Sequence, residues 1–459
     1  MKKLFFSALA ILVGFVASAQ VKEEGAQYNQ YGVKVQIEEL AAESQDGFLV
    51  LRAKQGEYKL WLDCRVQADG AVFFGAPDYA DKIGNGVSIR RARFAVKAQL
   101  TKNWYGEIDM DMANGVFELK DAIIKFSGIP YTEITVGNFK EFFSIQRNNS
   151  SRYLQFMERP MIAQALAPSR AIGGNIKFYK DWAWVSAGGF FQPVDNLETR
   201  TFVEDSNKDY GVNPGVSATA KVVFMPGFDK TDYGFHIALA ASYRTPKASD
   251  ENVATKGIPS VRYSTRNSNS INRKKYIDTD EITNVRFDIL HTAEFAGYWK
   301  GFRWEAAYMG TLNYVVDQKT PSNLFGWYAQ GGILLFGGRQ RYDCSGAKFT
   351  RPERGRKWGD LELCFRYEML DFNGLQSGPA GAAEAYTAGL NYYINNHAKI
   401  MLNYQYTNND RYANGKGNKF YVGKDAEGKP TTDFAKVVAP SGKAGVDYHM
   451  LSLRFEIDF

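Results

Sequence analysis

From Glu57 to the end, the chain alternates apolar with polar or small residues, in segments of about ten. A period of two sends successive side chains to opposite faces of a strand. Ten residues suit a strand that crosses a membrane at a tilt. In VSIRRARFAVKAQL, Ala92, Phe94, Val96, Ala98 and Leu100 share one face, and Arg91, Arg93, Lys97 and Gln99 the other. After the short TKN turn comes WYGEIDMDM, with Ile108, Met110 and Met112 outward and Glu107, Asp109 and Asp111 inward. As antiparallel neighbours these strands set their inward cations and acids side by side. The pattern recurs in VSATAKVVFM, DLELCFRYEML and YHMLSLRFEIDF, the last ending on Phe459.

Counted this way the chain holds about sixteen strands and no helical segment, and an even number is what a bacterial barrel requires. Lipid cannot satisfy an open sheet edge, so membrane strands must close into a ring. The predicted fold class is all-β: one transmembrane antiparallel β-barrel over residues 57–459, with an inward-folded third loop. A soluble β-sandwich fits less well, because nearly every strand carries aromatics on one face.

Connection lengths give a second reading. TKN, SGIPY, KDW, YWKG and NNH are short and fall at one end of the barrel. The connections at 74–86, 141–170, 193–214, 247–283, 372–384 and 410–446 are long and fall at the other. Residues 339–357 break the rule, being long where a short turn is due, which questions one boundary or the strand count. The 247–283 connection, with Arg262, Arg266, Arg273, Lys274 and Lys275, reads as a solvated surface loop.

The connection 141–170 differs from the others. It is too long and too aromatic for an ordinary link. It carries Arg147, Arg152, Arg159 and Arg170, with Lys140 at its entrance, against Glu141 and Glu158 alone. This loop is expected to fold into the lumen and form a constriction with an excess of cations, the feature that selects anions. Arginine suits phosphate and carboxylate by bidentate hydrogen bonding. The alternative is that its arginines pair with wall acids to pin the loop.

The wall itself is nearly balanced. Inward cations are Arg91, Arg93, Lys97, Lys177, Lys221, Arg286, Arg303, Arg366, Lys399 and Arg454. Inward acids are Glu107, Asp109, Asp111, Asp288, Glu294, Glu305, Asp360, Glu362, Glu368, Glu456 and Asp458.

Composition narrows the class. MKKLFFSALAILVGFVASAQ has a cationic start, an apolar run and an Ala17-Ser18-Ala19 cleavage pattern, so residues 1–19 read as a signal peptide. Residues 20–56, with Glu38, Glu39 and Glu43, read as a polar N-terminal periplasmic segment. No other run approaches the ~18 apolar residues of a membrane helix. Aromatics at 15% fit interfacial girdles, and the mean hydropathy of −0.36 fits a barrel whose strands are half polar. Removing Lys2 and Lys3 leaves 54 cations against 50 acids, too small an excess to point to nucleic acid.

Three cysteines, Cys64, Cys344 and Cys364, lack metal-ligand spacing and read as free thiols, one disulfide being the alternative. No glycine loop precedes a helix, so no cofactor is indicated. Of the histidines, His291 and His449 face lipid or the girdle, His397 sits in a turn, and none of the four, His236 included, lies near a Ser or Asp in a nucleophile pattern. A barrel enzyme would need an inward Ser/His/acid cluster. A surface-binding barrel acting through 247–283 and 410–446 is a further alternative.

The run VGNFKEFFSIQRNNSSRYLQFMERPMIAQALAPSRAIGG resembles the hallmark segment of the phosphate-selective porin O and P family: a GxFKExFS entrance, an SSRYxxFMER centre and an ALAPxR exit. GVSIRRARFAVKAQL, WGDLELCFRYEMLDFN and AEAYTAGLNYYINNHAKIMLNY are similar to it too, so the resemblance covers about residues 57–459. It implies a sixteen-stranded outer-membrane porin, assembled as a homotrimer in lipid, that passes small hydrophilic anions such as phosphate or polyphosphate passively. By resemblance, Arg91 and Arg93 match the basic second strand, and Lys140, Arg147, Arg152, Arg159 and Arg170 the anion-contacting loop. A general porin without phosphate selectivity is the other reading.

Overall fold

The computed structural model describes residues 27–28, 30–32, 34–35, 39–54, 56–76, 83–191, 193–194, 215–227, 229–246, 248–249, 258–271, 275–415, 421–439 and 444–459. The expected signal peptide lies outside them. Sixteen antiparallel strands close the barrel. They are β1 (Lys59–Phe74), β2 (Gly86–Gln99), β3 (Trp104–Asp111), β4 (Glu118–Ile129), β5 (Thr132–Lys140), β6 (Arg170–Lys180), β7 (Ala183–Phe190) and β8 (Val216–Phe224). They continue as β9 (Tyr233–Thr245), β10 (Val285–Trp299), β11 (Phe302–Val315), β12 (Ser322–Leu334), β13 (Asp360–Asp371), β14 (Ala382–Tyr393), β15 (Ala398–Asn409) and β16 (Tyr448–Asp458). β16 closes on β1 from His449↔Phe74 to Asp458↔Arg65. The count is the one expected from sequence, and so is the facing: Val216, Ala218, Ala220, Val222 and Phe224 of β8 are exposed while Ser217, Thr219, Lys221 and Val223 are buried.

Chain ends and short turns lie together. Cys64 N donates to Phe459 O at 2.7 Å, and Phe459 N returns a bond to Cys64 O at 3.1 Å. At this end an N-terminal hairpin (Leu40–Gln45 with Phe48–Ala53) pairs Val50, Leu51 and Arg52 with Trp61, Leu60 and Lys59 of β1.

Two connections depart from the sequence reading. The link after β12, residues 335–359, is long at the short-turn end, yet the strand count stands, because this link turns into the lumen. It forms a small hairpin, Tyr342–Asp343 with Lys348–Phe349. Trp184 Nε1 donates to Ser345 O at 3.0 Å, Phe349 N donates to Asn149 Oδ1 at 2.9 Å, and the Arg303 guanidinium stands 3.8 Å from the Phe349 ring centre.

The 247–283 connection is not a solvated loop in its described part. Tyr263, Ile271, Tyr276 and Ile277 are buried against Phe143, Met161, Ile162 and Leu166 of the third loop, together with Ala413, Val422 and Val446 of the last. With Ile83 of the first long connection and Phe372, Leu375 and Ala380 of the one after β13, five outer connections share one apolar core inside the barrel. Burying that surface offsets the ordering of long loops, and it fills the lumen against β10–β16. Arg286, read as inward, is exposed beside a register shift between Val285 and Phe287, where the strict alternation fails.

β5, which leads into the third loop, runs close against β4. Gly137 of β5 pairs with Gly173 of β6, has φ +132°, and a Cβ there would strike the Ala122 carbonyl. Replacing Gly137 by Ala is expected to cost about 1–3 kcal/mol, read as a lower midpoint in heat-modified gel mobility. An unchanged midpoint would contradict the close approach.

Candidate functional site

The third loop runs from 141 to 169 between β5 and β6 and holds two short helices, α1 (Ile145–Asn148) and α2 (Met161–Ala165). The wall opposite fixes it through its backbone. Glu294 Oε1 accepts from Ile145 N at 2.7 Å, Glu368 from Met161 N, and Gln155 Nε2 donates to Glu362 at 2.8 Å. Arg366 donates to Glu158 O at 2.9 Å and Arg454 to Met157 O at 2.6 Å. Glu294, Glu362, Glu368, Arg366 and Arg454 of β10–β16 are therefore spent on holding the loop.

Open space lies between the loop and β1–β6 and, beyond it, against the inserted 335–359 link. Three chambers follow one another. The outermost, about 480 Å³, is lined by nine cations and two acids, Asp111 and Glu118. The next, about 240 Å³, has seven cations and four acids, and shares Arg93, Lys140 and Arg170 with the first. The last, about 660 Å³, carries three of each sign and adjoins the second at Lys348.

The residues singled out from sequence divide by partner. Arg170 makes a two-point contact with Asp121, at 3.0 and 2.6 Å. Arg152 meets Asp63, one contact being 3.1 Å, and its Nε lies 3.0 Å from Asp458. Arg93 sits between Asp109 at 2.9 Å and Asp111 at 3.3 Å, and Lys97 between Asp63 at 2.5 Å and Glu107 at 3.7 Å. Arg152 and Arg170 of the loop thus pair with wall acids, as the pinning alternative has it, while Arg93 and Lys97 are compensated within the wall. Lys97 and Glu107, and Arg93 and Asp111, are cross-strand partners, as the antiparallel reading required.

The others have no carboxylate at ion-pair distance among the described residues. Lys140 donates to Arg147 O at 2.9 Å, and Arg91 to the Gln67 amide at 2.6 Å. Arg159 staples the loop by donating to Gln146 O at 2.5 Å and Asn149 O at 3.1 Å. Arg147 Nε has no partner. Burial and Arg170 lower the Arg147 pKa, and burial and Arg147 lower that of Arg159. Both remain guanidinium ions at neutral pH, and the shifts record burial first and then the crowding of like charges, which Glu158 partly offsets.

Sequence reasoning missed six lining cations, Arg65, Arg90, Lys120, Lys348, Arg351 and Arg354. Arg90 follows the outward alternation on paper, but a bulge at Gln67/Ala68 turns it inward, where it meets Glu158 at 2.6 and 3.1 Å. The adjacent pair Arg90-Arg91 was the available signal. Arg65 of β1, 4% exposed, donates to Ser151 Oγ at 2.9 Å. Lys348 arrives on the inserted 335–359 link. Glu107, Asp109 and Asp121 set carboxyl oxygens within 4.8 Å of one another, but Lys97, Arg93 and Arg170 already compensate them.

His236 is buried with its ring nitrogens 2.6 Å from Tyr342 OH and 3.2 Å from Glu294, which also holds Lys221 at 2.5 Å; no serine joins this cluster among the described residues. None of the three cysteines is in a disulfide.

Comparison with known proteins follows from this geometry. A protein of Caulobacter vibrioides without an assigned function is 26% identical over 348 residues, 74% of this chain and 66% of that one, so the chain spans just under two thirds of it. Porin O of Pseudomonas aeruginosa is 23% identical over 441 residues, 88% of this chain and 95% of that one. The solved outer membrane protein OmpT of Vibrio cholerae, in trimer form, aligns with a TM-score of 0.49 and 11% identity over 87% of this chain and 99% of its own. The family model "Phosphate-selective porin O and P" matches residues 61–423, most of the barrel, and the chain therefore belongs to that family of bacterial outer-membrane porins.

Proposed function

We propose that this barrel is a passive, anion-preferring channel for small hydrophilic solutes, phosphate or polyphosphate among them, and that it works as a homotrimer in the outer membrane. The observation that carries this reading is the group Lys140, Arg147, Arg159 and Arg91, cations beside the outer chamber with no carboxylate at ion-pair distance. An entering anion finds donors already placed and positive charge not yet neutralised. The trimer and the named solutes rest on the family.

A second reading, a general porin with little phosphate preference, draws on the middle chamber. There Asp63, Glu107, Asp109 and Asp121 face the same water as the cations.

The test is a planar-bilayer recording of the purified protein in a KCl gradient, followed by phosphate titration of the chloride current. The expected reversal potential has the anion-selective sign, and phosphate reduces the current with saturation. A cation-selective potential would end the anion reading. Anion selectivity with no phosphate effect would favour the general porin.

A further inference from the structure

At the periplasmic mouth, five charged groups of alternating sign form one chain across five parts of the protein. Asp63 on β1 holds Arg152 of the third loop, with one contact at 3.1 Å. Arg152 Nε lies 3.0 Å from Asp458 Oδ2 on β16. That same oxygen accepts from Arg351 Nη2 at 3.0 Å, and Arg351 Nη1 donates to Asp46 Oδ2 at 3.0 Å. Arg351 belongs to the inserted 335–359 link, and Asp46 to the tip of the N-terminal hairpin, where Asn396 also donates to it at 2.9 Å. His397 Nδ1, 3.8 Å from the other Asp458 oxygen, completes the surroundings of that carboxylate.

One oxygen of Asp458 thus lies at ion-pair distance from two guanidinium groups, accepting a hydrogen bond from Arg351 while Arg152 Nε has none. What Arg152 receives from it depends on what Arg351 takes. The inner groups are well shielded, with side chains of Arg152, Asp458 and Asp63 exposed by 14%, 6% and 9%, so their mutual attraction is little screened. Asp46 is 57% exposed and contributes the weakest link.

Resting on the channel reading of the passage, we propose that Arg351 is a positioning residue for the constriction. By competing for Asp458 it sets how tightly Arg152 is clamped, and it ties the periplasmic insert to the part of the third loop that borders the middle chamber. Removing Arg351 leaves Asp458 wholly to Arg152 and tightens the clamp. Removing the Asp46 charge does the reverse, because Arg351 then leans on Asp458 alone.

The test is amide hydrogen exchange over residues 148–153 in the full-length protein in detergent, with heat-modified gel mobility as the check on folding. Arg351→Gln is expected to slow exchange and Asp46→Asn to speed it, each by about two- to fivefold, the size of a partly exposed ion pair. Arg351→Gln should have no effect in an Arg152→Gln background. A general loosening of the mouth would speed exchange in both variants, so shifts of the same sign overturn the proposal, as does no shift or a persisting effect without Arg152. Exchange does not depend on conduction. Absence of wild-type current would therefore overturn the channel reading alone.

Discussion

Replacing Lys140 and Arg147 together by glutamine should lower the anion-to-cation permeability ratio by about tenfold. Both are cations without a carboxylate at ion-pair distance, and both line the outer chamber. At an effective dielectric constant near 20, a unit charge about 4 Å from a passing ion is worth about 4 kcal/mol before salt screening. Screening reduces this severalfold, and about 1.4 kcal/mol is enough for the tenfold change. Arg147 is the better single target, because the Arg159 guanidinium also staples Gln146 and Asn149 and its loss would disturb the loop.

The contrasting variant is Arg170→Gln with Asp121→Asn, which removes a two-point ion pair and leaves the net charge unchanged. It should change the ratio by less than about twofold, since a compensated pair projects little field beyond itself. Reversal potentials in a KCl gradient measure both. Equal effects would mean that selectivity follows some other feature than uncompensated charge.

Glu294→Gln should produce the largest loss of stability among single polar substitutions in the lumen. The Glu294 carboxylate is fully buried and accepts from Ile145 N at 2.7 Å and Lys221 Nζ at 2.5 Å, with His236 at 3.2 Å. Glutamine keeps the shape and one acceptor but leaves the Lys221 ammonium buried without its anion. Breaking a buried pair from one side costs about 3–5 kcal/mol. The same acceptor caps α1, so loosening should spread into residues 144–149 of the third loop.

Unfolding of a large barrel is not expected to reverse, so the readouts are the temperature at which gel mobility changes and the amide exchange rate of α1. Adding Lys221→Met should recover most of the loss, since removing both partners of a buried pair is often close to neutral. A single variant indistinguishable from wild type would show that Lys221 finds another anion.

How far the sequence could be read differs from residue to residue. Glu107, Asp109 and Asp111 were placed correctly because alternation over β3 is a local property of the strand. Arg90 was not, because a bulge shifts the phase of β2, and nothing in the alternation itself marks where a bulge falls. The third loop stood out by length and charge. Which of its arginines are neutralised did not, because Arg152 finds Asp63 across 89 positions and Arg170 finds Asp121 across 49.

By itself, then, the sequence determined the sixteen strands, their inward and outward faces, and a basic third loop turned into the lumen, since backbone periodicity and the need to close hydrogen bonds in lipid act over a few residues or on the chain as a whole. Only the tertiary structure decided that residues 258–271, 275–284 and 335–359 also enter the barrel, that charges of β10–β16 hold the loop, and that the two cation-rich chambers lie along β1–β6. Those outcomes depend on which distant acid reaches which cation and which apolar faces meet inside the ring, contacts that close only when the barrel does.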